Sequence, residues 1–78
     1  MLIKIKFFGE LKDKVKKSSI ELNIDAEYLT KRELFPILEK NFKISEEEIF
    51  NIAINNSLSE NSLKDGDTVS LHPIYRGG

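Results

Sequence analysis

Apolar and polar residues alternate through Leu2-Ile3-Lys4-Ile5-Lys6-Phe7-Phe8, and this period of two predicts a strand. Ile3, Ile5 and Phe7 fall on one face as core candidates, with Leu2, Lys4, Lys6 and Phe8 on the other. Phe8 is the anomaly, a large aromatic closing a lysine-bearing face. It suits burial under the next segment or an exposed contact equally well. Gly9 interrupts the strand. Leu11 and Val15, four apart among charges, then predict two turns of amphipathic helix over 10–17. Lysines 12, 14, 16 and 17 are interleaved with Glu10 and Asp13, the pattern of a solvated helix face rather than a basic patch. Alternation resumes over 19–24, with Ile20, Leu22 and Ile24 inward. The short insert before it predicts a second strand returning antiparallel to the first.

The period changes after residue 29. Thr30 is a good N-cap, Glu33 completes a capping box, and Leu29 with Leu34 fits a hydrophobic staple. Leu34, Ile37, Leu38 and Phe42 recur at helical spacing, which predicts the main helix over about 31–42. Pro36 conflicts with that register, so the helix is either kinked there or starts near it. Ser45-Glu46-Glu47-Glu48 predicts a further capped turn. Residues 52–56 predict a short strand running into an Asn55-Asn56 turn, and Leu58 stands alone in a polar stretch. Lys64-Asp65-Gly66-Asp67 is a strong turn signal. It launches a last strand over 68–72, with Val69 and Leu71 inward and Thr68, Ser70 and His72 outward. The order β–(short α)–β–α–β–β–β is that of an α+β domain, a mixed sheet with one main helix on one face.

Composition narrows the chemistry. With 78 residues, the chain has room for a single domain with a thin stability margin. There is no cysteine, which excludes disulfides, zinc thiolates and thiol nucleophiles, and a single histidine, His72, excludes a multi-histidine metal site. A net charge of −1 argues against general nucleic-acid binding. No long apolar run predicts a membrane span, and the alternating N-terminus lacks the form of a signal peptide, so cytoplasmic residence is expected.

The sequence closes on Leu71-His72-Pro73-Ile74-Tyr75-Arg76-Gly77-Gly78. A chance Gly-Gly ending has odds of about 0.5%, and glycines are poor material for closing a fold. An end without Cβ atoms suits threading into a narrow channel, where it offers a terminal carboxylate to another protein's catalytic groups.

Ile5-Lys6-Phe7-Phe8-Gly9-Glu10-Leu11-Lys12, then Ala53-Ile54-Asn55 before a turn, then Leu63-Lys64-Asp65-Gly66-Asp67-Thr68-Val69, Pro73 and Gly77-Gly78 resemble, in order, the small subunit of molybdopterin synthase. The resemblance implies a ubiquitin-like β-grasp domain over 1–73, with parallel, central first and last strands, and a flexible tail over 74–78. It also implies a sulfur carrier. An ATP-dependent partner resembling ubiquitin-activating enzymes would join Gly78 to AMP, and a persulfide donor would convert Gly78 to a thiocarboxylate. The large synthase subunit would then direct that sulfur to the pterin precursor. ATP and magnesium would sit on the activating partner, with no cofactor bound by this chain, which has no Gly-rich phosphate loop.

Two departures from the family bear on the partner. The tail reads Pro73-Ile74-Tyr75-Arg76 where relatives often carry Pro-Pro-Val, and His72 stands where many have Phe. Arg76 before Gly77 resembles ubiquitin-like modifiers, so a protein modifier conjugated through Gly78 is one alternative. Carriers for thiamine thiazole or tRNA thiolation are another, although thiamine carriers are usually shorter and lack the helix expected at 10–17. With adjacent first and last strands, Phe8 and His72 share the sheet face turned from the main helix, bordered by Leu58. These three form the expected docking patch, and Pro73, Ile74, Tyr75, Arg76 and Gly77 enter the partner beside it.

Overall fold

In the computed structural model, which describes residues 1–74, the chain runs β1 (Leu2–Phe7), α1 (Gly9–Val15), β2 (Ser19–Asn23), β3 (Tyr28–Thr30), α2 (Lys31–Phe42), a 3-10 turn (Glu46–Glu48), β4 (Ile49–Ile54), β5 (Ser62–Lys64) and β6 (Thr68–Pro73). The main sheet has the order β2-β1-β6-β4, and β3 and β5 form a separate ribbon. β1 and β6 pair in parallel at the centre, Ile5 opposite Val69 and Phe7 opposite Leu71. β2 and β4 run antiparallel to them at the two edges. This is the β-grasp architecture, an α+β fold.

One sheet face carries the core. Ile3, Ile5 and Phe7 of β1, Val69 and Leu71 of β6, and Ile52 and Ile54 of β4 are buried against Leu34 and Leu38 of α2. Phe42, from the last turn of α2, meets Phe7 edge-on with ring centroids 5.2 Å apart. Ile20 and Leu22 are only half-buried, because β2 lies at an edge, and so is Ile24 just after it.

Local chemistry sets the boundaries. Thr30 Oγ1 accepts from the Glu33 N–H at 3.2 Å and Glu33 Oε1 accepts from the Thr30 N–H at 3.0 Å, the reciprocal capping box expected for α2. The helix therefore begins at Lys31 and runs through Pro36, which rules out a start at the proline. Pro36 still deprives the Arg32 carbonyl of its helical N–H donor. The short helix closes early, at Val15, because Lys16 turns left-handed (φ 65°) and its N–H bonds the Lys12 carbonyl. At the 3-10 turn Glu48 Oε2 accepts from the Ser45 N–H at 2.8 Å, and the Glu48 N–H donates to the Ser45 carbonyl at 3.0 Å.

Four expectations need correction. β1 ends at Phe7, because Phe8 already serves as the N-cap position of α1. The ribbon strand β3 was not expected, since three residues carry no readable period, and Leu63 of its partner β5 joins the core. β4 begins three residues earlier than expected and ends at Ile54. Its register on β6 slips between Ile49, opposite Pro73, and Asn51, opposite His72, which makes Phe50 the extra residue of a bulge. Finally, Ser70 does point away from the core but is buried, because its strand lies between β1 and β4 with Lys6 and Ala53 as register partners.

Candidate docking face and tail root

Small residues make the floor of a shallow concavity on the outer sheet face, and large ones its walls. Ala53 and Ser70 are paired across β4 and β6. Around them stand Phe8, Phe50, Leu58 and His72, enclosing about 430 Å³ with Asn51 and Asn56. The rings of Phe8 and His72 stack at 4.7 Å and 11°. The sequence pattern had set these two residues on one face, and the parallel β1–β6 pairing is what brings them together. Leu58 reaches the same concavity because Asn55 and Asn56, both left-handed (φ 51° and 67°), turn the chain back after β4. Such a pair of positive φ values is the hairpin geometry that asparagine tolerates.

Phe50 was missed by sequence reasoning, although it is the most exposed large apolar residue among those described, at 72%, ahead of Leu58 at 59% and Phe8 at 41%. Its signal was present in the spacing. Ile49, Ile52 and Ile54 are all buried, and a gap of three followed by a gap of two breaks strict alternation where a bulge inserts one residue. Without that insertion Phe50 and Asn51 would not both face outward. Asn51 Oδ1 is buried with no hydrogen-bond partner among the described residues. Three exposed apolar side chains around one concavity are what a partner-binding surface offers.

Next to this face the chain leaves the sheet at Pro73 and Ile74, and three contacts brace the exit. The Ile74 N–H donates to the Glu48 carbonyl at 3.1 Å. Gly9, with φ +53°, lies so close that a Cβ there would be 2.9 Å from Pro73 Cγ. Lys14 Nζ ties α1 to the 3-10 turn, donating to the Glu48 carboxylate at 2.9 Å and to the Lys43 carbonyl at 2.6 Å. The Ser45 backbone N–H, foremost, and Lys14 hold the Glu48 carboxyl below its ordinary pKa. The arrangement holds Pro73 and Ile74 at the end of β6. Tyr75, Arg76, Gly77 and Gly78 lie outside the described residues.

Among the described residues no cluster of three or more histidine or carboxylate side chains is placed to hold a metal ion, and no helix is long and apolar enough to cross a membrane.

The ThiS family model matches residues 5–78. Among solved structures, a Pyrococcus furiosus protein assigned as subunit 1 of molybdopterin converting factor superposes with a TM-score of 0.73 at 28% identity, over 94% of this chain and 97% of that one. A chain of the Helicobacter pylori complex of subunits 1 and 2 of molybdopterin-converting factor gives a TM-score of 0.61 at 28% identity, with both chains covered completely. SAMP1 from Haloferax volcanii reaches 0.73 over the full length of both chains but at 18% identity, a likeness of fold. No curated protein sequence matches the chain.

Proposed function

This chain belongs to the ThiS family of ubiquitin-like sulfur carriers, and from that premise we propose that it is the sulfur-donating small subunit of a molybdopterin synthase. The observation that carries this reading is the family match through residue 78, which includes both glycines. The two structural likenesses at 28% identity, one to subunit 1 of a molybdopterin converting factor and one to a chain of a complex of its subunits 1 and 2, support the pterin pathway over other sulfur acceptors.

The chemistry begins from a weak electrophile, the Gly78 carboxylate. An adenylating enzyme of the ubiquitin-activating type, which holds ATP and magnesium, joins it to AMP and releases pyrophosphate. The mixed anhydride now has a good leaving group. The terminal sulfur of a persulfide donor displaces AMP to give an acyl disulfide, and a thiol cleaves the S–S bond to leave the thiocarboxylate and a new disulfide. With no cysteine in the chain, no internal thiol can intercept the activated end. The thiocarboxylate is anionic at neutral pH and a better nucleophile than a carboxylate. In the active site formed with the large subunit it delivers sulfur to the pterin precursor.

Phe8, Phe50, Leu58 and His72 supply the docking face, and Pro73 through Gly77 the segment that enters the partner. The Helicobacter pylori complex of subunits 1 and 2 supports a large-subunit partner here. Both partners use one carrier in turn, so one face serving both is economical. A second reading, a protein modifier joined to lysine through Gly78, is favoured by Arg76-Gly77-Gly78 alone.

Intact-mass measurement after incubation with the adenylating enzyme, ATP and a persulfide donor tests the proposal. Sulfur replacing one oxygen at Gly78, followed by its loss when the large subunit and pterin precursor are added, is the expected result. A ladder of lysine conjugates would instead identify a modifier, and a thiocarboxylate that persists with the precursor would remove the pterin role.

A further inference from the structure

A second concavity, larger than the first at about 620 Å³, opens between the start of α2 and the edge of β4. β4 is the last strand of its sheet, so among the described residues one of its edges has no strand neighbour. Ile54 and Ser57 exchange both backbone hydrogen bonds, each at 2.9 Å, so the turn closes that edge at its far end. Asn55, by contrast, donates to Thr68 on the β6 side. Antiparallel ladders alternate residue by residue. The amide and carbonyl of Ile52 therefore face outward with those of Ile54, but no turn among the described residues covers them. The open stretch lies around Phe50–Ile52, beside the bulge.

Apolar and charged groups are distributed unevenly around this edge. Phe35, Phe50, Ile52 and Leu58 supply apolar surface, Lys31 and Arg32 supply two cations, and among the described residues no carboxylate lines the groove. Lys31 Nζ donates to the neutral Leu58 carbonyl at 2.8 Å. Among the described residues neither Lys31 nor Arg32 makes a salt bridge. Both stand in the first turn of α2, where the helix macrodipole adds partial positive charge. Two cations without a salt bridge, beside a Glu33 carboxylate already engaged by Thr30, define the complement.

We propose that this groove docks an extended segment of a partner protein, a few alternating aliphatic residues followed by acidic ones, which adds a strand to the open edge of β4. Backbone bonds to Ile52 give the segment its register, its aliphatic side chains cover Phe35 and Leu58, and its carboxylates meet Lys31 and Arg32. The groove shares Phe50, Asn51 and Leu58 with the outer concavity, but Arg32 and Phe35 border neither that concavity nor the tail root, so substitution at these two separates the proposal from sulfur transfer.

The test uses the isotope-labelled full chain and a synthetic peptide of four alternating Val and Ile residues followed by three Asp, with a control carrying Lys in place of Asp. Amide shifts in Phe50–Ile52 and the first turn of α2, binding that weakens with salt, and loss of about tenfold in affinity in Arg32→Glu are expected. Lys31→Glu should act in the same direction. Thiocarboxylate formation in Arg32→Glu should stay at the parent level, which keeps a failure here distinct from a failure of the carrier proposal. The proposal is overturned by shifts centred on Phe8 and His72, by equal binding of the Lys control, or by no binding at millimolar peptide.

Discussion

Replacing Gly9 with alanine tests how the sheet fixes the root of the tail. Two penalties add at this position. A left-handed φ of +53° costs an L-residue about 1–2 kcal/mol. The new Cβ would also lie 2.9 Å from Pro73 Cγ and 3.7 Å from Cδ, where carbon atoms normally sit about 3.5–4.0 Å apart. Pro73 is held opposite Ile49 in the β4–β6 ladder, so it cannot swing aside freely. Overpacking of this kind costs about 1–3 kcal/mol. The sum, about 2–5 kcal/mol, is a large part of the stability of a small domain.

Gly66 isolates the first penalty: its φ is +88° and a Cβ there meets nothing within 4 Å among the described residues. Gly66→Ala should therefore cost only about 1–2 kcal/mol. Urea titrations of both variants, repeated in a Pro73→Ala background, separate the contributions. Removing Pro73 Cγ should reduce the cost of Gly9→Ala to that of the backbone alone. In the parent background the displaced Pro73 should also misdirect the tail and slow thiocarboxylate formation in protein that remains folded. The reasoning fails if Gly9→Ala costs no more than Gly66→Ala, or costs the same with and without Pro73.

Phe7→Ala, at a position 2% exposed and packed on Phe42, should cost about 3–5 kcal/mol in denaturant titrations. Phe8→Ala should cost much less stability but about 2 kcal/mol of partner binding, roughly thirtyfold in affinity; the opposite ranking would make Phe8 structural. Deleting Gly78, or Gly77→Val, should abolish or impair sulfur loading by intact mass while the unfolding midpoint stays unchanged, since β-branching narrows the allowed backbone space. Acid should destabilise the fold. For Asp67, burial opposes ionisation, but the Asn55 amide, the Lys64 N–H and the Lys64 charge together lower the pKa below its ordinary 3.8. Glu48 is held below 4.5. Groups with lowered folded pKa values stabilise fully above their unfolded values, and that stability is lost as pH falls through the folded ones. The melting temperature should be level above about pH 5.5 and fall below about pH 4.5. Glu48→Gln should reduce the acid sensitivity, and an unchanged profile would remove the Glu48 assignment.

Local signals were legible in the sequence where one period or one cap dominates. Ile3, Ile5, Phe7, Val69 and Leu71 announced their buried face, because alternation depends only on backbone geometry. Thr30 and Glu33 announced the start of α2, because a capping box closes within four residues. The Asn55-Asn56 and Asp65-Gly66-Asp67 turns were equally local. The fold itself came from resemblance, and the structure bears it out in the parallel β1–β6 pair. Tertiary structure alone decided the rest. The Phe8–His72 stack depends on strands that are neighbours in space and more than sixty residues apart along the chain. The outward turn of Phe50 left a trace in the spacing of Ile49, Ile52 and Ile54, but where the register slips is set by the pairing with β6. Gly9 read as a breaker, but its need for a missing Cβ arises only when Pro73 packs against it. Ser70 read as solvent-facing, yet its central place in the sheet buries it. A strand's own period says which face each residue takes, while its neighbours determine what that face meets.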